Sequence, residues 1–287
     1  MNSENLAFLL DNLKYLGFGE KPLLDEQLEQ QITHETKEFQ LHTESFYDED
    51  YKVEAILHFR RSDRFDMYFF NKYEAFLKKG DNAETERMQT FYISKGTGVT
   101  LKEAFNLLQG RAVNKDLTNT EGEKYNAWIQ LNFEEMDLNH NYKIKYFGSR
   151  YGYDLEKVLE KYPIKELKME ESKVLLLKAL KRGNLQPVYF MKPNNKVEKM
   201  YVEASPQFKT INIYTSVAKA MQKLVKKPAY AGEVSRKPGG PETGDRKEEE
   251  ATAEEATTEE SAMTEEGGEE GTTIPENTPT AKKRSRK

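Results

Sequence analysis

The 287-residue chain contains no cysteine, and it has no apolar run of membrane-spanning length. The absence of cysteine excludes disulfides, thiolate nucleophiles and cysteine-ligated metal sites, and it is typical of a reducing compartment. A membrane-spanning helix needs about 20 consecutive apolar residues, which no segment approaches. The apolar run at the N-terminus is interrupted by Glu4 and Asp11 and lacks the basic region and cleavage site of a signal peptide. We therefore expect a soluble cytoplasmic protein.

The chain also lacks the spacing motifs of common metal and phosphate sites. Its four histidines show no H-x-H or H-E-x-x-H pattern; they are His34, His42, His58 and His140. The run DLNHNYKI begins like a calcium loop, but Tyr142 stands where the loop needs glycine and Gly148 where it needs glutamate. The glycine-rich KGTGVT lacks the length and the final Lys-Ser/Thr of a P-loop, so a phosphate-binding turn is the less favoured interpretation. We predict no catalytic residue, no metal and no cofactor.

Negative charge is concentrated at the C-terminal end. Residues 229–287 contain 15 acidic and 9 basic side chains, which leaves 34 acids and 35 bases in the rest of the chain. A near-neutral body argues against a dedicated duplex-DNA binder, because that affinity comes mainly from neutralising phosphates. Residues 227–287 have almost no large apolar side chains and cannot repay the entropy of folding. We predict a disordered acidic tail there, ending in the basic cluster KKRSRK.

Apolar periodicity predicts an α+β fold of antiparallel strands with short helices. Helical spacing indicates helices from Ser3 to Leu16 and from Leu23 to Thr33. Alternation with a period of two then indicates strands at 38–46, 51–59, 65–77 and 88–94. Thr100 and Glu103 have the spacing of a capping box at the start of a further helix.

One local pattern occurs twice, in LKEAFNLLQGRAVNKDL and in LLLKALKRGNLQPVYF. Each predicts a helix that stops at a glycine, Gly110 or Gly183, and continues into a β-hairpin. A true duplication and two copies of a common supersecondary unit both account for it. We predict an α+β subdomain at 1–95, an α+β domain with the two helix-hairpin units at 96–226, and the tail at 227–287.

The only tryptophan, Trp128, alternates with the apolar positions of its predicted strand and so shares a face with polar residues. An aromatic ring among cations on an open sheet face is a common way to hold single-stranded nucleic acid. The candidate nucleic-acid or partner face comprises Arg111, Lys115, Lys124, Trp128, Lys143 and Lys145. We favour the alternative that the helix predicted at 100–109, or another helix, covers this face and Trp128 packs beneath it.

Several segments resemble an uncharacterised, domain-of-unknown-function family carried on bacterial conjugative transposons and related mobile elements. The likeness covers most of residues 1–217 and is most particular in GRAVNK and KYNAW. It implies a bacterial cytoplasm and an accessory role in maintenance or transfer of the element, and it carries no functional residues over. We therefore expect a non-enzymatic adaptor that binds protein partners of the transfer or DNA-processing machinery. The alternative is a single-stranded nucleic-acid-binding module that uses the face around Trp128.

Overall fold

The computed structural model describes residues 3–47, 50–79, 85–94, 96–119, 121–193 and 196–221. These residues form antiparallel sheets connected by short helices, so the predicted α+β class is confirmed. No helix among them is long and apolar enough to cross a membrane. The predicted tail at 227–287 lies outside the described residues.

The first sheet is a four-stranded antiparallel meander with the order β1-β2-β3-β4. Its strands are β1 (Glu38–Phe46), β2 (Tyr51–Arg61), β3 (Tyr68–Lys79) and β4 (Thr85–Tyr92). Alternate side chains of β2 and β3, such as Val53, Leu57 and Tyr73, are fully buried on one face. This alternation, expected for a sheet with one covered face, confirms the period of two seen in the sequence.

Two helices cover that face, α1 (Ser3–Tyr15) and α2 (Pro22–Thr33). Leu9 and Leu13 of α1 are buried in the core beneath the sheet. Asn5 fixes the helix to the start of β3, because its Nδ2 donates to the carbonyl of Tyr68 at 3.0 Å and its Oδ1 accepts from the backbone N–H of Tyr68 at 2.7 Å. Both predicted helices are therefore present, and their apolar stripes face the sheet.

A third helix, α3 (Leu101–Leu108), completes the first core. The predicted capping box is present, since Thr100 accepts from the N–H of Glu103 and the Glu103 carboxylate accepts from the N–H of Thr100. Each of these bonds satisfies a backbone donor that the first helical turn leaves free. Phe105 and Leu108 are buried in the same core as Tyr73.

The second sheet lies between two cores. It has the order β5-β6-β7, with β5 (Val113–Thr118), β6 (Lys124–Met136) and β7 (Tyr142–Gly148). Ile129 and Leu131 belong to the first core, whereas Trp128 and Phe147 belong to the second. Successive residues of β6 point to opposite faces, so this sheet buries side chains on both.

The third sheet has the order β10-β9-β8, with β8 (Gln186–Met191), β9 (Val197–Ser205) and β10 (Thr210–Tyr214). Its inner face packs on α5 (Glu170–Lys181) and α4 (Leu155–Leu159), and α6 (Val217–Met221) follows β10. Leu159, Leu180 and Val202 lie at the centre of this second core. Gly110 and Gly183 both have positive φ where α3 and α5 end, so both predicted helix-hairpin units are present. A duplication remains a prediction.

The first core draws residues from both sides of position 95, for example Phe91 before it and Leu101 after it. All the described residues belong to one compact unit. The predicted division into subdomains at residue 95 remains a prediction.

Candidate functional site

Trp128 is buried. Only 5% of its surface is exposed, and its ring meets Tyr153 edge-on with the ring centroids 5.4 Å apart. It packs in the second core with Phe147 and Leu155. The interpretation that Trp128 serves packing is confirmed; Tyr153, which precedes α4, lies against its ring, whereas the buried apolar residues of α3 belong to the first core. The Trp128 ring is not available for a base to stack on.

Two of the cations assigned to this face point elsewhere. Lys115 pairs in register with Ala127, the neighbour of Trp128, and therefore lies on the opposite face of the sheet. Its ammonium group contacts the Glu103 carboxylate at 3.0 Å and donates to the carbonyl of Gly98. Arg111 precedes β5, is 5% exposed, and donates to Asn106 Oδ1 at 2.8 Å.

The other three cations lie on the same sheet face as Trp128, because Lys124 is four residues before it in β6 and Lys143 and Lys145 pair with Asn132 and Gln130. Lys124 is exposed at the start of β6. Lys143 is exposed and forms an ion pair with Glu135 at 3.3 Å, and Lys145 is half-buried opposite Gln130. The six candidate residues therefore do not form one open face, because Lys115 lies on the opposite side of the sheet and Arg111 and Trp128 are buried.

Asn106 joins the two helix-hairpin units. It is fully buried, and its Nδ2 donates to the carbonyl of Arg182 at 2.7 Å and to Asn184 Oδ1 at 2.9 Å. Its Oδ1 accepts from Arg111, so donor and acceptor are both used. The amide bridges the residues that follow α5 to the residues that follow α3. This is a structural role that the sequence pattern did not reveal.

A second buried polar cluster lies on the outer face of the third sheet. Glu203 is 2% exposed, and its Oε1 accepts hydrogen bonds from Asn212 Nδ2 at 2.8 Å and Tyr214 Oη at 3.0 Å. Burial, reinforced by the Glu203 carboxylate, raises the pKa of Tyr214 far above its ordinary value, while the charge of Arg111 opposes that rise. Such a satisfied network favours one arrangement of the strands.

The outer face of the first sheet has a broad open depression of about 560 Å³. It is lined by ion-paired side chains and by Ile56 and Phe76. Glu54 contacts Lys78 at 2.6 Å and Lys52 at 3.0 Å, which leaves its carboxylate compensated. The carboxylate of Glu54 in this depression is thus neutralised by ion pairs with lysines of the same sheet.

The exposed part of the third sheet's outer face carries aromatic and basic side chains. Tyr189 is 45% exposed, and Lys199, its partner across β8 and β9, is also exposed. The Lys199 ammonium lies 5.5 Å from the centroid of the Tyr201 ring. In the sequence, Tyr189, Tyr201 and Tyr214 alternate with apolar neighbours, and this alternation was the available signal that the three rings share the outer face.

Helix α5 presents a further surface. Its buried face contains Leu176 and Leu180, while Val174 and Leu175 are 51% and 66% exposed. Three cations lie towards the end of the same exposed face, at Lys178, Lys181 and Arg182. This face, defined by those five exposed residues, is called the α5 face below.

No group of three or more His, Asp or Glu side chains in the described part of the chain is placed to hold a metal ion. Comparisons with protein-family models, curated proteins and solved structures found no match to this chain.

Proposed function

We propose that this chain is a non-enzymatic adaptor of a bacterial mobile element, acting in the cytoplasm, and that it binds an acidic protein partner through the α5 face. The observation that carries the proposal is the exposure of Val174 and Leu175, 51% and 66%, side by side on a helix whose opposite side is already packed. Isolated exposed apolar residues are ordinary. Two adjacent aliphatic side chains with cations on their C-terminal side and the acidic Glu170 and Glu171 in the first turn of the helix have the composition of a small interface centre with a polar rim.

Charge indicates the chemistry of the partner. Residues 150–221 contain 14 Lys or Arg and 8 Asp or Glu, a net charge of +6. Lys178 and Arg182 are one helical turn apart and lie beside Leu175 on the same face. A partner segment that places aliphatic side chains on Val174 and Leu175 and carboxylates on these cations would match both features. Complementary charge of this kind speeds association and selects among partners.

The resemblance to mobile-element proteins supplies the context. An accessory protein of transfer or DNA processing has to hold other proteins together, and an exposed helix face serves that purpose. We propose the partner among the proteins of that machinery.

The test compares the full chain with the double variant Val174→Ala, Leu175→Ala during co-purification from a bacterial host, with nuclease treatment in parallel. Alanine removes the apolar contacts while preserving helix propensity. We expect a nuclease-resistant protein partner, bound at least about tenfold more weakly by the double variant, because truncating a hot-spot side chain costs about 2 kcal/mol or more. Val197→Ala is the matched control, since Val197 is 55% exposed on β9.

Two results would contradict the proposal. One is equal capture of every partner by the wild type and the double variant. The other is capture that disappears on nuclease treatment, which would show that nucleic acid bridges the two proteins.

A further inference from the structure

Three tyrosines cross the outer face of the third sheet in a line. Tyr201 of β9 lies directly opposite Tyr214 of β10. Tyr201 also pairs with Pro187, and Tyr189 pairs with Lys199, so Tyr189 is the diagonal neighbour of Tyr201. Directly opposed side chains in antiparallel strands are about 5 Å apart and diagonal neighbours about 7–8 Å. These three residues are called the tyrosine row.

The row varies in accessibility from one edge to the other. Tyr189 is 45% exposed, Tyr201 is half-buried, and Tyr214 is held by its hydrogen bond to Glu203. The accessible end is therefore at β8, where Pro187 is also exposed. A ligand would meet Tyr189 first and Tyr201 next, while Tyr214 secures the inner end of the row.

The exposed part of this face is positively charged. Lys199 projects between Tyr189 and Tyr201, with its ammonium group 5.5 Å from the Tyr201 ring centroid. Among the described strand residues whose side chains share this face the sole carboxylate is Glu203, which is 2% exposed and accepts from Asn212 and Tyr214. At the edge of β8 the Glu166 carboxylate accepts from the backbone N–H of Tyr189 at 3.1 Å. The surrounding residues, 150–221, have a net charge of +6. A polyanion fits these charges.

We infer that the tyrosine row is a binding site for single-stranded nucleic acid, with unpaired bases stacked on Tyr189 and Tyr201 and a backbone phosphate at Lys199. Every base has a π-face, so an aromatic row on a sheet binds single strands with little sequence preference. Bases within a duplex are already stacked on one another and cannot use the row. The buried side of helix α5 packs against the other side of this sheet, so the site is separate from the proposed partner surface on the exposed α5 face.

The experiment measures fluorescence anisotropy of a labelled oligothymidylate of about 16 nucleotides, near the upper end of ordinary site sizes, with the full chain at low salt. A labelled duplex of equal length is measured beside it. The label is on the DNA because Trp128 is buried and would not report on this surface. We expect the single strand to bind more tightly than the duplex.

Variants locate the site. Tyr189→Ala should weaken single-strand binding at least about fivefold, the lower end of what one lost stacking contact costs, and Tyr189→Phe should retain it. Lys199→Ala should reduce the slope of log affinity against log salt by about 0.7, the value for one phosphate contact on a single strand. Tyr125→Ala is the matched control, since Tyr125 is 42% exposed on the second sheet. Thermal melting verifies that each variant is folded.

Several results would overturn the inference. These are no binding of the single strand, duplex binding of equal strength, or equal losses for Tyr189→Ala and Tyr125→Ala. Binding by the basic run KKRSRK would be common to all variants, so affinity that survives Tyr189→Ala also overturns it. If oligonucleotides fail to bind but Tyr189→Ala abolishes capture of a protein partner, the row is a protein-docking surface instead.

Discussion

The side-chain amide of Asn106 donates a hydrogen bond of 2.7 Å to the carbonyl oxygen of Arg182, although 76 residues separate them in the chain. The same amide nitrogen reaches Asn184 Oδ1, and the amide oxygen accepts from Arg111. Helix α3 is therefore hydrogen-bonded to the residues that follow helix α5, so the two glycine-terminated helices end close together. This contact gives the repeated pattern in the sequence a structural purpose.

Replacing Asn106 should destabilise this junction. We expect Asn106→Ala to lower the free energy of unfolding by about 2–3 kcal/mol, because it removes the donor to Arg182 and Asn184 in a buried site. Urea denaturation measures the change. Asn126→Ala is the control, since Asn126 is exposed and bonds only to neighbouring strand side chains; it should shift stability by no more than about 0.5 kcal/mol. Equal effects would contradict the structural role of Asn106.

The junction also requires a glycine at position 183. Gly183 has φ of +78°, and an added Cβ would lie 2.9 Å from the carbonyl oxygen of Ala112 and from Val113 Cγ2. We expect Gly183→Ala to be more destabilising than Gly122→Ala, in which φ is +84° but no atom lies within 4 Å of the added Cβ. The control should cost about 1–2 kcal/mol from the backbone conformation alone. Urea denaturation measures the loss of unfolding free energy in both variants. A larger loss for Gly183→Ala than for Gly122→Ala reports the close approach of residue 183 to Ala112 and Val113, and equal losses would contradict it.

Trp128 should report on the second core. Because its side chain is 5% exposed and packs on Tyr153, we expect its emission to resist quenching by iodide until the protein unfolds. Tyr153→Ala should increase quenching in the folded state by opening one side of the ring, whereas Tyr125→Ala on the same sheet should not. Iodide quenching of the wild type at the level of free tryptophan would contradict the packing described here.

His58 should make stability depend on pH. Burial holds the pKa of His58 below its ordinary value of 6.5, although the nearby Glu74 carboxylate, 3.0 Å from Nε2, acts to raise it. The unfolded chain therefore takes up the proton first, so stability falls as the pH drops through 6.5 towards the pKa of the folded state. NMR titration of the His58 ring, assigned with His58→Gln, measures that pKa.

Glu74→Gln tests the assigned cause. Removing the carboxylate takes away the charge that favours the imidazolium, so the pKa of His58 should fall further. An increase in pKa would contradict this account. Glu135→Gln, which removes an exposed carboxylate from the second sheet, should leave the His58 titration unchanged.

The positions of most elements could be predicted from the sequence because their signals are local. The capping box at Thr100 and Glu103 and the glycine stop at Gly110 each depend on a few neighbouring residues. Strand ends were less accurate. Strand β2 continues to Arg61, beyond the predicted end at residue 59, because its pairing with β3 continues past an irregularity at His58 and Phe59 and places Arg61 opposite Tyr68.

Whether the face around Trp128 is exposed or buried could not be predicted from neighbouring residues in the sequence. Alternation in β6 gives Trp128 and Ile129 opposite directions, and that much is visible in the sequence. It does not show that both directions lead into a core, as they do here. The same limit applies to Lys115, whose partner Glu103 lies on a helix rather than on the sheet.

The sequence by itself determined the α+β class and the two glycine-terminated helices, because periodicity and backbone conformation are set by adjacent residues. Only the tertiary structure decided which polar side chains are buried, and which sheet face presents Tyr189 and Lys199 to solvent. Exposure depends on segments that are distant in the chain, and the entropy of closing those loops is repaid only when the whole core forms.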